Sequence, residues 1–137
     1  MKVENKTHHS DEQWAALALE EDDGPVYMTN LLKFKPRAVY PDGRESNLSG
    51  LEAYQLYGAA TGKQIAALGG RVIHSNIIGG LVAGEVEDLW DIVGIVEYPS
   101  LKAFMDMVDS DEYKANTIHR EAGLAGQLLM HGRTPPT

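Results

Sequence analysis

The chain has 137 residues, the size of a single domain that can bury one core but not two independent ones. Its 12 Lys and Arg stand against 20 Asp and Glu, a formal net charge of -8, so its field repels phosphate backbones and anionic lipid and argues against nucleic-acid and membrane partners. It has no cysteine, which excludes disulfides, thiolate nucleophiles and Cys-ligated zinc, and neither an apolar run in Met1 to Ser10 nor a span-length segment elsewhere, so a soluble cytoplasmic protein is expected.

Ser10-Asp-Glu-Gln13 has the form of a capping box, and Trp14, Leu17 and Ala18 follow at helical spacing, which predicts a short leading helix within 10–22. The acidic run Glu20 to Asp23 and the breaker Gly24-Pro25 end it. A first strand should follow, with Val26, Met28, Asn30, Leu32 and Phe34 on one face and Tyr27, Thr29, Leu31 and Lys33 on the other. Both faces are mostly apolar, so both should be covered. Residues 35–47, rich in Pro and Gly, form a long polar loop of the kind that serves as a lid.

Ser49-Gly-Leu-Glu52 is a second capping box, opening a helix whose stripe is Leu51, Tyr54, Gly58, Thr61, Ile65 and Leu68. The small residues Gly58 and Thr61 let that helix lie close to the sheet or leave room for a ligand, and close packing is the simpler expectation. Arg71 to Ala83 alternates imperfectly around His74 and the pair Gly79-Gly80, which fits a strand with a bulge or a sharp bend, and Trp90 to Tyr98 reads as a third strand of nearly continuous β-formers. Pro99 at a first helical position and Ser100 start a helix striped by Leu101, Phe104 and Val108. Asp109-Ser-Asp-Glu112 restarts it, Gly123 would be its C′ residue, and Leu124 to His131 is a last strand.

The order is a leading helix followed by β-α-β-β-α-β, an α+β, ferredoxin-like arrangement in one domain over 1–137, with its core at about 24–132. One sheet face takes the helices. The other needs a partner, and a second copy of the chain packed sheet to sheet, a homodimer, is the simplest solution.

Gly24 to Lys35, Glu52-Ala-Tyr54, Tyr57-Gly58, Trp90-Asp91, Tyr98-Pro-Ser100 and Arg120-Glu-Ala-Gly123 resemble the domain-of-unknown-function 1330 family. The resemblance runs from Gly24 to Leu128 and implies a dimeric α/β barrel. It implies no particular reaction. Related barrels carry out cofactor-free oxygenation, isomerisation or decyclisation of small cyclic compounds, haem chemistry, or effector sensing, which for this chain is a matter of fold analogy.

Asn30 is a carboxamide in an apolar strand face and costs free energy unless it is hydrogen-bonded, so it is either a ligand-binding group or a structural bond. His119 lies at the edge of the stripe Ala115, Ile118 and Ala122, as a general acid or base or as an ordinary boundary histidine. Arg120 projects to the opposite side with Tyr113 and Asn116, where it would clamp a substrate carboxylate or join an ion pair. Tyr54, Tyr57 and Trp90 would line a cavity or fill the core, and His74, grouped with Val72, Asn76 and Ile78, would wall a pocket or face solvent. His74, His119 and His131 lack metal-ligand spacing, so no metal is expected. No cofactor is expected either; a haem with His119 as axial ligand is an alternative by analogy with other barrels. The leading expectation is therefore a cavity for a small, partly apolar molecule, with Asn30, His119 and Arg120 as polar contacts. If it is an enzyme, proton transfer or oxygenation without a cofactor is expected. The alternative is a non-catalytic binding or stress-related dimer.

Overall fold

A computed structural model describes residues 1–136. Its elements are α1 (Asp11–Ala18), β1 (Val26–Phe34), α2 (Gly50–Ala67), β2 (Arg71–Ile77), β3 (Ile92–Tyr98), α3 (Leu101–Val108), α4 (Asp111–Gly123) and β4 (Leu124–Gly132). The strands form one antiparallel sheet in the order β2-β3-β1-β4. That order, with α2 crossing between β1 and β2 and the α3-α4 pair between β3 and β4, is the ferredoxin-like topology.

Both capping boxes form: the Ser10 and Ser49 hydroxyls accept from the Gln13 and Glu52 amides, and the Gln13 and Glu52 side chains accept from the serine amides. Ser100 caps α3 directly, so Pro99 precedes the cap and is not the first helical residue. Asp22 reaches across to accept from the Leu101 and Lys102 amides at 2.7 and 3.0 Å. These bonds hold its carboxyl below its ordinary pKa and tie the end of the leading segment to α3.

Two core clusters hold the helices on the sheet. The larger gathers Val26, Met28, Ile65, Tyr98, Leu101, Phe104 and Met107, with Trp14 and Leu17 of α1 against it. Burying each such side chain contributes about 1.5–3 kcal/mol. The smaller gathers Ala38, Tyr40, Ala53 and Ala122. The long loop therefore packs down as a second core: the Val39 amide donates to Ala122 O, the Ala38 amide to Leu48 O, and Tyr40 is buried.

Two expectations about β2 are corrected. The strand ends at Ile77, before Gly79-Gly80, and the bulge falls at the irregular alternation around His74, between Val72 and His74, where Ile73 is the extra residue. An edge strand accommodates such an insertion because one side carries no ladder. The insertion reverses the facing of the rest of the strand. Val72 pairs with Val96 on the helix-covered face, whereas His74 pairs with Ile95 and Asn76 with Val93 on the open face, so His74 does not share a face with Val72.

Gly123 is also corrected. It ends α4 without a positive φ, and glycine is required because of proximity. Gly50 and Gly123 cross at backbone contact, and a Cβ on Gly50 would lie 2.7 Å from Gly123 O and 2.8 Å from Lys35 N. The α2-α4 crossing and the end of β1 are thus locked together. Gly50→Ala is expected to destabilise the fold by about 1–3 kcal/mol through overpacking, read as a lower denaturant midpoint, whereas Gly58→Ala, whose Cβ meets open space, should not destabilise it.

Candidate functional site

A cavity of about 1080 Å³ lies between the helix-facing side of the sheet and the helices. Along β1, α2 and α4 it occupies the interval between the two core clusters, which prop the helices at either end. Gly58 and Gly62 border it with nothing near their missing side chains, so α2 leaves room under its middle instead of packing close. The size suits a small organic molecule.

Charged side chains, among them Glu4, Glu20, Asp109, Glu121 and Lys114, also border it, and on the sheet side one connected set of polar groups reaches into it. Asn30 Nδ2 donates to the Met28 and Gly94 carbonyls, both at 3.3 Å, which orients the amide so that its Oδ1 accepts from Gln127 Nε2 at 2.8 Å. Gln127 Oε1 in turn accepts from Arg120 Nη2, and Arg120 Nη1 donates to Thr7 O. A row of neutral amides starting in the central strand thus positions a guanidinium at the cavity wall. Among the described residues no carboxylate forms an ion pair with Arg120, although seven Lys or Arg contacts with carboxylates form elsewhere.

The helix side of the cavity is aromatic. Tyr57 and Tyr113 share a hydrogen bond of 2.8 Å between their hydroxyls, with rings perpendicular at 5.8 Å, and Tyr54 packs 5.2 Å from Tyr57 and 5.3 Å from Phe34. Burial pushes the Tyr54 phenol up to about 12 against the opposing charge of Arg120, and pushes Tyr57 well above its ordinary value. Both stay neutral donors throughout the physiological range. Two hydroxyls that share one bond leave one proton free for an acceptor.

Of the residues singled out from sequence, Asn30, Tyr54, Tyr57 and Arg120 border this cavity together; His119, His74 and Trp90 do not. His119 Nδ1 bonds the Tyr40 hydroxyl at 2.7 Å, fastening the long loop to α4. Its ring is therefore outside the wall, and a haem in the cavity would not meet it. His74 is exposed and bonds Asn76 at 3.0 Å. Trp90 Nε1 donates to Asn5 Oδ1 at 2.7 Å. No group of three or more His, Asp or Glu suited to a metal ion occurs among the described residues. Gln127 was missed, although the signal was present: it is the sole polar side chain in Leu124 to Met130 and lies across from Asn30 and Leu32.

The architecture defines an α+β, ferredoxin-like protein with a helix-covered cavity. The chain belongs to the DUF1330 family, described as a domain of unknown function, whose sequence profile matches residues 45–131. It is similar to the RPA0582 protein of Rhodopseudomonas palustris, a protein of unknown function. One structure of that protein is 31% identical with a TM-score of 0.85, covering 98% of this chain and 100% of that one. A second structure, of the methylated protein, is 33% identical with a TM-score of 0.88, covering 96% of each chain. More distant likenesses concern the fold alone. They include a candidate antibiotic biosynthesis monooxygenase of Caulobacter crescentus (14% identity, TM-score 0.53, 82% of this chain and 92% of that one). Another is a dimeric ferredoxin-like protein of unknown function from Thermobifida fusca (16% identity, TM-score 0.50, 93% of this chain and 100% of that one). No curated protein matches the chain, and no helix among the described residues is long and apolar enough to cross a membrane.

The tyrosines supply a pH prediction. A phenol with a raised native pKa stabilises the fold fully below its unfolded value, about 10, and that contribution is lost as pH rises through the native value, about 12 for Tyr54. Ultraviolet titration at about pH 11 should therefore find fewer ionised tyrosines in the folded protein than in denatured chain, and chemical denaturation should show stability falling between these two values. Full ionisation of all 6 tyrosines at that pH in folded protein would contradict the burial of Tyr54 and Tyr57.

Proposed function

We propose that this protein binds a small, partly apolar molecule in the cavity, with Arg120 taking a carboxylate of the ligand and Asn30, Tyr54 and Tyr57 shaping the space around it. The observation that carries the reading is a guanidinium oriented by neutral oxygens at the wall of a largely apolar cavity, with no protein carboxylate paired to it. An uncompensated cation in such surroundings favours an anionic guest, and the planar fork of arginine matches a carboxylate. A ligand with an apolar body would contact Ile65, Phe104 and Met107, which border the same space.

Binding without turnover is the simpler form of this reading, because the histidine expected to move protons is engaged with Tyr40 outside the cavity wall. Proton transfer or oxygenation on the bound ligand is the alternative form, and a resemblance in fold to a candidate monooxygenase supports it only as analogy.

The protein acts as a homodimer in this proposal. The uncovered sheet face carries Leu31, Val93, Ile95 and Leu128 in its middle, with Met130 and Ile73 exposed beside them. Ion pairs flank it, Lys33 with Asp88 at 2.9 Å and Arg71 with Glu97 at 2.8 Å. An apolar centre with a charged rim suits a self-complementary interface.

A thermal-shift screen of small carboxylates and their neutral analogues tests the ligand reading. A true ligand at about 100 times its Kd stabilises by about 2.7 kcal/mol, a rise of about 9 °C for a chain of this size. Carboxylates should raise the melting point in the wild type and not in Arg120→Ala; equal shifts in both would count against the reading. For the dimer, Ile95→Lys should convert a sedimenting dimer to a monomer, and an unchanged dimer would sink that part of the proposal.

A further inference from the structure

We propose that Glu4–His9 is a strap that closes the cavity, and that the ligand it closes over is an amphiphilic monocarboxylate whose head shares Arg120 with the strap. This rests on the cavity being a ligand site. The strap runs beside β4, an edge strand of the sheet, where the Lys6 amide donates to Gln127 O at 3.0 Å. Asn5 sits on Gly126, where a Cβ would come within 2.6 Å of its own Cβ, so glycine there clears the strap's path. Asn5 also accepts from Trp90, Thr7 O accepts from Arg120, and His9 stacks on Trp14 at 4.3 Å with 13° between the planes.

Apart from the His9–Trp14 stack these fastenings are polar. No residue from Met1 to His9 is buried, so little apolar surface resists opening, and such segments open at low cost in free energy. Yet Glu4, Lys6, Thr7, His8 and His9 all border the cavity, which makes the strap one of its walls. A guest must pass it or displace it.

Arg120 links the two events. A guanidinium has five N–H donors; Thr7 and Gln127 engage two, leaving three for a carboxylate with the strap in place. A bound carboxylate immobilises the guanidinium that holds Thr7, and the apolar body fills the space under the strap. Ligand and closed strap therefore favour each other, and the coupling is reciprocal: whatever loosens the strap weakens the ligand by the same factor by which the ligand closes the strap. The strap itself brings Glu4 as well as Lys6 to the cavity, and His8 lies 3.6 Å from Glu121, so the preference for an anion rests on Arg120.

The test uses octanoate and its neutral isostere octanamide. Amide hydrogen exchange at Lys6 reports the strap, and the chain's 2 tryptophans, each touching it, report it by fluorescence. Octanoate should bind by calorimetry, slow Lys6 exchange and shift tryptophan emission, while octanamide binds at least about tenfold more weakly, as expected for a lost charge-assisted bond. Asn5→Ala, which touches no core residue, should fold normally and weaken octanoate about fivefold, the scale of one hydrogen bond. If octanoate binds and Arg120→Gln abolishes binding, but Lys6 exchange does not change and Asn5→Ala binds like wild type, the strap proposal fails while the cavity reading stands. If octanoate fails to bind, or binds Arg120→Gln equally well, both fall. Equal binding of octanamide overturns the carboxylate head.

Discussion

The position of one positive charge organises this molecule. Arg120 lies half-buried where α4 passes over the sheet, at the wall of the cavity, and the fold supplies amide and backbone oxygens to it but no carboxylate. Each oxygen is itself held. Gln127 is oriented by Asn30, and Asn30 by two carbonyls of the sheet. A carboxylate partner would have neutralised the charge and closed the site chemically. Neutral acceptors fix its direction and leave its attraction for an anion intact.

The space in front of that charge arises from how the core is divided. A fold of this size commonly fills the layer between helices and sheet with one continuous core. Here the aromatic and aliphatic side chains collect at the end where β1 begins, and alanines with Tyr40 collect at the end where α2 and α4 cross. The backbone contact of Gly50 with Gly123 holds the second end shut, while Gly58, Thr61 and Gly62 leave the middle of α2 thin. Thr61 keeps a buried hydroxyl without a partner, a cost accepted at the cavity wall.

Much of this architecture is legible in the sequence. The capping boxes at Ser10 and Ser49, the breaker Gly24-Pro25 and the two-sided apolar pattern of β1 are local signals, and local chemistry decides them. The family resemblance carries the same topology. Asn30 stands out because a polar group in an apolar pattern is costly wherever the chain goes, whereas Arg120 stands out by its side of the helix with Tyr113 and Asn116 and by the family resemblance of its segment. The expectations that fail depend on distant neighbours. His74 changes face because of a one-residue bulge that no turn residue announces, and His119 turns to Tyr40 because a loop 79 residues earlier folds onto its helix. Gly123 has the look of a helix cap, but its reason is a second glycine on another helix. The role of the leading segment at the cavity is likewise invisible in sequence, since its partners Arg120, Gln127 and Trp90 are remote along the chain.

If the guanidinium of Arg120 is a receptor for an anionic ligand within the cavity, a crystal structure of the protein grown with octanoate shows it most directly. Carboxylate oxygens are then expected about 3 Å from the guanidinium nitrogens, with the hydrocarbon chain lying between α2 and the sheet toward Ile65 and Phe104. Octanoate seated only on the open sheet face, with Arg120 still bonded to Thr7 and Gln127 and facing an empty cavity, would contradict that role.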